Sequence, residues 1–112
     1  MQEIPLAAVP DGGACAVEQQ RPDGSKRGVI LLRRGAMVWA YVNRCPHFSL
    51  PLDFEPGEFA TYDGEILMCA HHSAMFRYED GLCIDGPCAG HRLDRVEVEV
   101  TAETVSVAPA PM

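Results

Sequence analysis

The chain has little of what would mark a membrane, helical or disulfide-framed protein. Its longest apolar run, from Gly35 to Val42, falls far short of the roughly 20 residues a bilayer span needs. The opening Met1-Gln2-Glu3-Ile4-Pro5 has neither a basic n-region nor an apolar h-region. No secretory signal is therefore expected, and a cytoplasmic, reducing compartment is. Basic residues are scarce, 9 Lys and Arg against 16 Asp and Glu, for a formal charge of −7. That balance argues against nucleic acid or an anionic membrane as partner and suits docking onto basic patches of another protein. Five cysteines are an odd number, which an extracellular disulfide framework would not usually show. There is no G-x-G-x-x-G for a dinucleotide, no internal repeat and almost no helical periodicity.

What remains reads as one all-β domain spanning 1–112, with room for a single modest core. Short β-type runs at 14–19, 28–32 and 37–43 alternate with turn signals, Arg21-Pro22-Asp23-Gly24-Ser25 and Arg33-Arg34-Gly35-Ala36. Near the carboxyl end Val96-Glu97-Val98-Glu99-Val100 alternates apolar and charged residues, as a half-buried strand demands, and 104–107 follows after a turn. Residues 108–112 are expected to form a flexible tail. Between these flanks lies an insert of about 43–93, rich in Gly and Pro. It is expected to hold one strand at 65–68 and a hairpin, 76–78 with 82–84, around Asp80-Gly81. Phe54 to Phe59 is expected to be an exposed turn.

The insert carries two short pairs of metal-ligating residues. Cys45-Pro46-His47 and Cys69-Ala70-His71-His72 place one thiol and one imidazole each in a tight loop, as C-x-H and C-x-x-H. Two Cys on one iron and two His on the other is the donor set of a mixed-ligand [2Fe–2S] centre. A Cys₂His₂ zinc site could use the same residues, although zinc fingers usually begin with a paired C-x₂₋₄-C. His71 is read as a spacer beside the ligand His72, and His91 as structural or exposed. Cys15 lies in an apolar stretch and reads as a small buried side chain. Cys83 and Cys88 are read as thiols rather than as a disulfide.

The succession Cys45-Pro46-His47-Phe48, Cys69 to Gly81, then Gly86-Pro87-Cys88 resembles the Rieske [2Fe–2S] proteins, and among them the small soluble Rieske-type ferredoxins. The resemblance is dense from Val38 to Leu93 and thin over the first dozen residues. It implies an antiparallel β-sandwich or barrel bearing two ligand loops and a covering Gly-Pro loop. It also implies one [2Fe–2S] cluster per chain, with Cys45 and Cys69 on one iron and His47 and His72 on the other. High-potential members carry an extra Cys in each ligand loop, where this chain has Leu50 and His71. They carry a Ser and a Tyr where it has Ala74 and Phe76. The expected type is therefore low-potential. Two departures stand out: Ser73 replaces the usual Gly after the second His, and the spacer from Phe48 to Met68 is long.

The function expected from these residues is that of a one-electron carrier between a reductase and a terminal oxygenase or similar enzyme, not an enzyme by itself. The alternative is a small subunit or regulatory module of a larger oxidoreductase, resembling that of a nitrite reductase.

Overall fold

The computed structural model describes residues 2–44, 52–53, 55, 58–69, 74–86 and 89–109. Among them every regular element is a β-strand apart from one 3₁₀ turn, Leu6–Ala8. Eleven strands run in chain order: β1 Gln2–Pro5, β2 Ala14–Gln20, β3 Lys26–Arg34, β4 Met37–Val42, β5 Ala60–Tyr62, β6 Ile66–Met68, β7 Met75–Arg77, β8 Cys83–Asp85, β9 Arg95–Val96, β10 Val98–Val100 and β11 Thr104–Val107. They form three antiparallel sheets, ordered β1-β11-β10, β2-β3-β4-β9 and β5-β6-β7-β8.

The middle sheet is buried on both faces, which explains why β3 reads as an unbroken apolar run, Val29-Ile30-Leu31-Leu32, rather than an alternating one. Because side chains alternate along a strand, Val29 and Leu31 point one way with Val38 and Ala40 of β4. They pack with Val96, Val105 and Val107 into the core shared with the β1-β11-β10 sheet. Ile30, Leu32 and Tyr41 point the other way and pack with Leu67, Phe76 and Tyr78 of the insert. The insert sheet is thus a third layer on the far face of the middle sheet.

Three strand expectations need correcting. β1 pairs with β11 along Gln2–Pro5, a contact that no local pattern announces. The run 96–100 is not one strand: Arg95–Val96 pairs with β4, whereas Val98–Val100 pairs with β11. Glu97 is the corner at which the chain passes between sheets, its carbonyl accepting from the Ala108 amide at 2.9 Å. Ala108 is consequently held, and buried Gln19 also donates to its carbonyl at 2.7 Å. The insert, finally, holds four strands rather than three. β5 precedes β6 through a tight Asp63-Gly64 turn, both residues at positive φ (53° and 65°), the I′ geometry that an Asp-Gly pair supports.

A polar and aromatic seam joins insert to base. The Tyr41 hydroxyl donates to the Tyr78 carbonyl, and the Tyr78 hydroxyl donates to the Gly12 carbonyl at 2.9 Å. Arg34 lies 5.0 Å over the Trp39 ring, which meets Tyr78 edge-on with centroids 6.3 Å apart.

Candidate metal centre

Each segment proposed to carry ligands springs from a closed base on this scaffold. β4 ends at Val42, and Asn43 follows. Its amide donates to the Gly28 carbonyl at 2.8 Å, which fixes the residue to β3. Its side chain then reaches forward: Oδ1 accepts from the Leu52 amide at 2.7 Å and Nδ2 donates to Asp53 Oδ1 at 3.2 Å. Asn43 therefore pins together the two ends of the segment that contains Cys45 and His47. Gly28 leaves the room this needs, since a Cβ there would lie 3.3 Å from the Asn43 Cβ. Leu52, fully buried, anchors the returning end in the insert core.

The second base is closed by backbone. β6 delivers the chain to Cys69, whose amide donates to the Ala74 carbonyl at 2.7 Å. Across that bond β6 and β7 pair with Met68 opposite Met75. Cys69 and Ala74 are both fully buried, so the thiol at the start of this segment faces the interior of the insert.

The third segment closes on the second. Gly86 sits at φ +105°, and a Cβ on it would come within 2.7 Å of the Ala74 Cα. Only glycine permits so close an approach of the chain leaving β8 to the exit of the second loop. Asp85 Oδ1 accepts from the Gly86 amide at 2.9 Å and holds the turn. The Cys83 thiol donates to the Asp85 carbonyl at 3.1 Å, and the Cys83 amide donates to the His91 carbonyl at 2.8 Å.

Of the four proposed ligands, Cys69 lies among the described residues. Cys45, His47 and His72 lie outside them, as do Leu50, His71, Ser73, Pro87 and Cys88. His91 is exposed, and Cys15 is half-buried on β2 with its thiol pushed up by burial. Glu55 and Glu58 are both exposed and bridge across the turn expected there.

The donor chemistry fits a mixed-ligand iron–sulfur group. A buried thiol at the base of a closed loop, placed against a third segment that approaches at a glycine, makes a sheltered site for an inner iron. Imidazoles supplied by the same two segments would suit the second iron. Sequence reading missed two positioning residues, Asn43 and Gly28. The signal available was a lone amide at the end of an apolar strand, immediately ahead of the first ligand pair.

The sequence model of the Rieske [2Fe-2S] domain family matches residues 8–105. No curated protein matches the sequence significantly. Among solved structures, the ferredoxin of carbazole 1,9a-dioxygenase from Nocardioides aromaticivorans IC177 superposes with a TM-score of 0.76 at 23% identity. That match covers 98% of this chain and 97% of the ferredoxin. A complex of reduced oxygenase and oxidised ferredoxin in carbazole 1,9a-dioxygenase gives 0.71 at 20% identity, over 100% of this chain and 95% of the matched one. The terminal oxygenase of carbazole 1,9a-dioxygenase from Novosphingobium sp. KA1 gives 0.69 at 20% identity, and the match covers 31% of that longer chain.

Proposed function

Because the chain belongs to the Rieske [2Fe–2S] domain family, we propose that it is a one-electron carrier of low-potential type, with Cys45 and Cys69 holding one iron and His47 and His72 the other. The family's cofactor is a [2Fe–2S] cluster, one per chain. It supplies, when bound, a single electron at a time at a potential that the mixed ligand set raises above that of all-cysteine ferredoxins. Among the described residues no helix is long and apolar enough to cross a membrane.

The observation that carries the reading is that the bases of the two segments proposed to bear the Cys–His pairs meet in one buried cluster, which holds Leu52, Cys69 and Ala74, with Gly86 set against Ala74. The fold match supports a carrier over an oxygenase component, because it spans nearly the whole of a ferredoxin and about a third of an oxygenase chain. We read the partners as a reductase and a terminal oxygenase or similar enzyme, in the cytoplasm. The protein is a component of such a system and no catalyst by itself.

This chain's residues set the environment rather than perform chemistry. Asn43 and the Cys69–Ala74 bond keep the two ligand-bearing segments closed at their bases. Ala74 and Phe76, both fully buried, stand where the resemblance puts a Ser and a Tyr in high-potential members, and their side chains carry no hydrogen-bond donor. Added negative charge there is therefore poorly stabilised, which favours a low potential. A potentiometric titration of the purified holoprotein should give a midpoint on the order of −150 mV, at the lower limit of the family range. A value above about +100 mV would contradict the low-potential assignment.

A further inference from the structure

Among the described residues, the outer face of the insert sheet packs against neither core cluster. Leu67, Phe76 and Cys83 point inward and are at most 2% exposed. By alternation along β6 and β7, Ile66, Met68 and Met75 point outward, and none belongs to either core cluster or packs against one. Tyr62 of β5 pairs with Ile66 and is 47% exposed. Its hydroxyl lies 3.8 Å from the Met68 sulfur on the same face. Ile84 of β8, at a register shift beside Met75, is also 47% exposed. Exposed Tyr62 and half-buried Ile66, Met68 and Met75 thus share this face, and exposed Ile84 lies at its β8 edge. Arg77, opposite Ile66, also points outward with its guanidinium paired to Asp80. The Met68–Met75 pair ends the face directly at the base of the loop proposed to carry His72.

The surroundings of this face are acidic. The segment 43–93 carries eight of the 16 acidic and three of the nine basic side chains, or −5 of the chain's −7. Asp63 and Glu65 flank the Tyr62 end of the face, and Asp85 flanks the Ile84 end. Two copies apposed here would bring like charge against like charge, which disfavours self-association through this face. Two adjacent methionines supply an adaptable apolar surface of the kind that recurs at binding sites.

We propose that the outer face of the β5-β6-β7-β8 sheet is the docking surface for a redox partner protein whose own apolar patch is ringed by Lys and Arg. This rests on the carrier reading above and adds to it where, and by what chemistry, the partner seats. Apolar contact with Tyr62, Met68 and Ile84 holds the partner beside the second ligand loop, and the acidic rim draws it in and orients it.

The test uses the reduced holoprotein and two one-electron acceptors. Cytochrome c is a basic protein with an exposed haem edge, and ferricyanide is a small anion that needs no docking surface. In each case the carrier loses one electron and the ferric acceptor gains it, with no proton transferred. The variant is Tyr62→Ser with Ile84→Ser, both exposed and neither placed in the metal centre.

The expected result is a cytochrome c rate lowered about tenfold by the double substitution. In the native protein the same rate falls steeply as salt rises, while ferricyanide oxidises both proteins at the same rate. A double variant that reduces cytochrome c as fast as the native protein overturns the proposal. So does a stable native dimer, seen by sedimentation, that the double substitution dissociates, because the face would then be a self-contact. Failure with both acceptors in the native protein would refute the carrier reading itself, and the docking surface with it.

Discussion

Replacing Gly86 by Ala perturbs the third segment at its closest approach to the second. The backbone there sits at φ +105°, and the new Cβ would meet the Ala74 Cα at 2.7 Å, its Cβ at 3.0 Å and its amide nitrogen at 3.3 Å. Those are mostly backbone atoms, so no side-chain rotation relieves them. A left-handed backbone costs an L-residue about 1–2 kcal/mol. Forcing the chain off Ala74 adds about 1–3 kcal/mol, as overpacking usually does. Gly24 isolates the first cost, since it has φ +90° and nothing within 4 Å of its would-be Cβ. For a domain of this size the excess for Gly86→Ala over Gly24→Ala is about 4–12 °C in unfolding midpoint. The assay is thermal unfolding followed by circular dichroism at one fixed scan rate, paired with the decay of cluster absorbance in excess chelator. Gly86→Ala should also lose cluster about ten times faster than Gly24→Ala, which corresponds to the lower part of that energy range. If both variants melt within about 2 °C of each other and bleach at the same rate, the close packing of the third segment on the second does not protect the site.

Three further outcomes are expected. Asn43→Ala leaves the Leu52 amide without its 2.7 Å acceptor and Asp53 without its 3.2 Å donor. It should cost about 1–3 kcal/mol and hasten cluster loss in the same chelator assay, and an unchanged decay would remove Asn43 from the positioning role. Burial pushes the Tyr41 phenol up to about 12. Its folded pKa lies above the unfolded value near about 10, so its contribution is complete below that pH and is lost as pH rises towards 12. Stability to urea should accordingly fall between those values, and less so in Tyr41→Phe; identical alkaline profiles would contradict this. His72→Cys, if the cluster still assembles, should lower the midpoint potential by hundreds of millivolts, towards about −400 mV. An unmoved potential would show that His72 is no ligand.

Much of the fold could be read from local pattern because β-strands and turns carry short-range signals. The run 104–107 and the turn at Asp80-Gly81 stand where expected, and Asp63-Gly64 is an equal local signal, for the turn between β5 and β6. The double burial of β3 was latent in Val29-Ile30-Leu31-Leu32, a run too apolar for a sheet with one wet face. Pairings between distant segments were not readable. β1 against β11, and the change of sheet at Glu97, depend on where the chain returns after about a hundred residues rather than on the residues themselves. At the proposed metal centre the C-x-H and C-x-x-H pairs stand out as candidate ligands because so few side chains can ligate iron. The groups that position them do not stand out: Asn43 matters through Leu52 and Asp53, and Gly86 through Ala74. Those contacts exist only once the insert has folded against the middle sheet.

The most direct test is an EPR spectrum of the anaerobically purified protein after dithionite reduction, with iron and zinc quantified on the same sample. A rhombic signal of the Rieske type with about two irons per chain is the predicted result. An EPR-silent sample holding one zinc per chain would leave the fold intact and contradict the electron-carrier assignment.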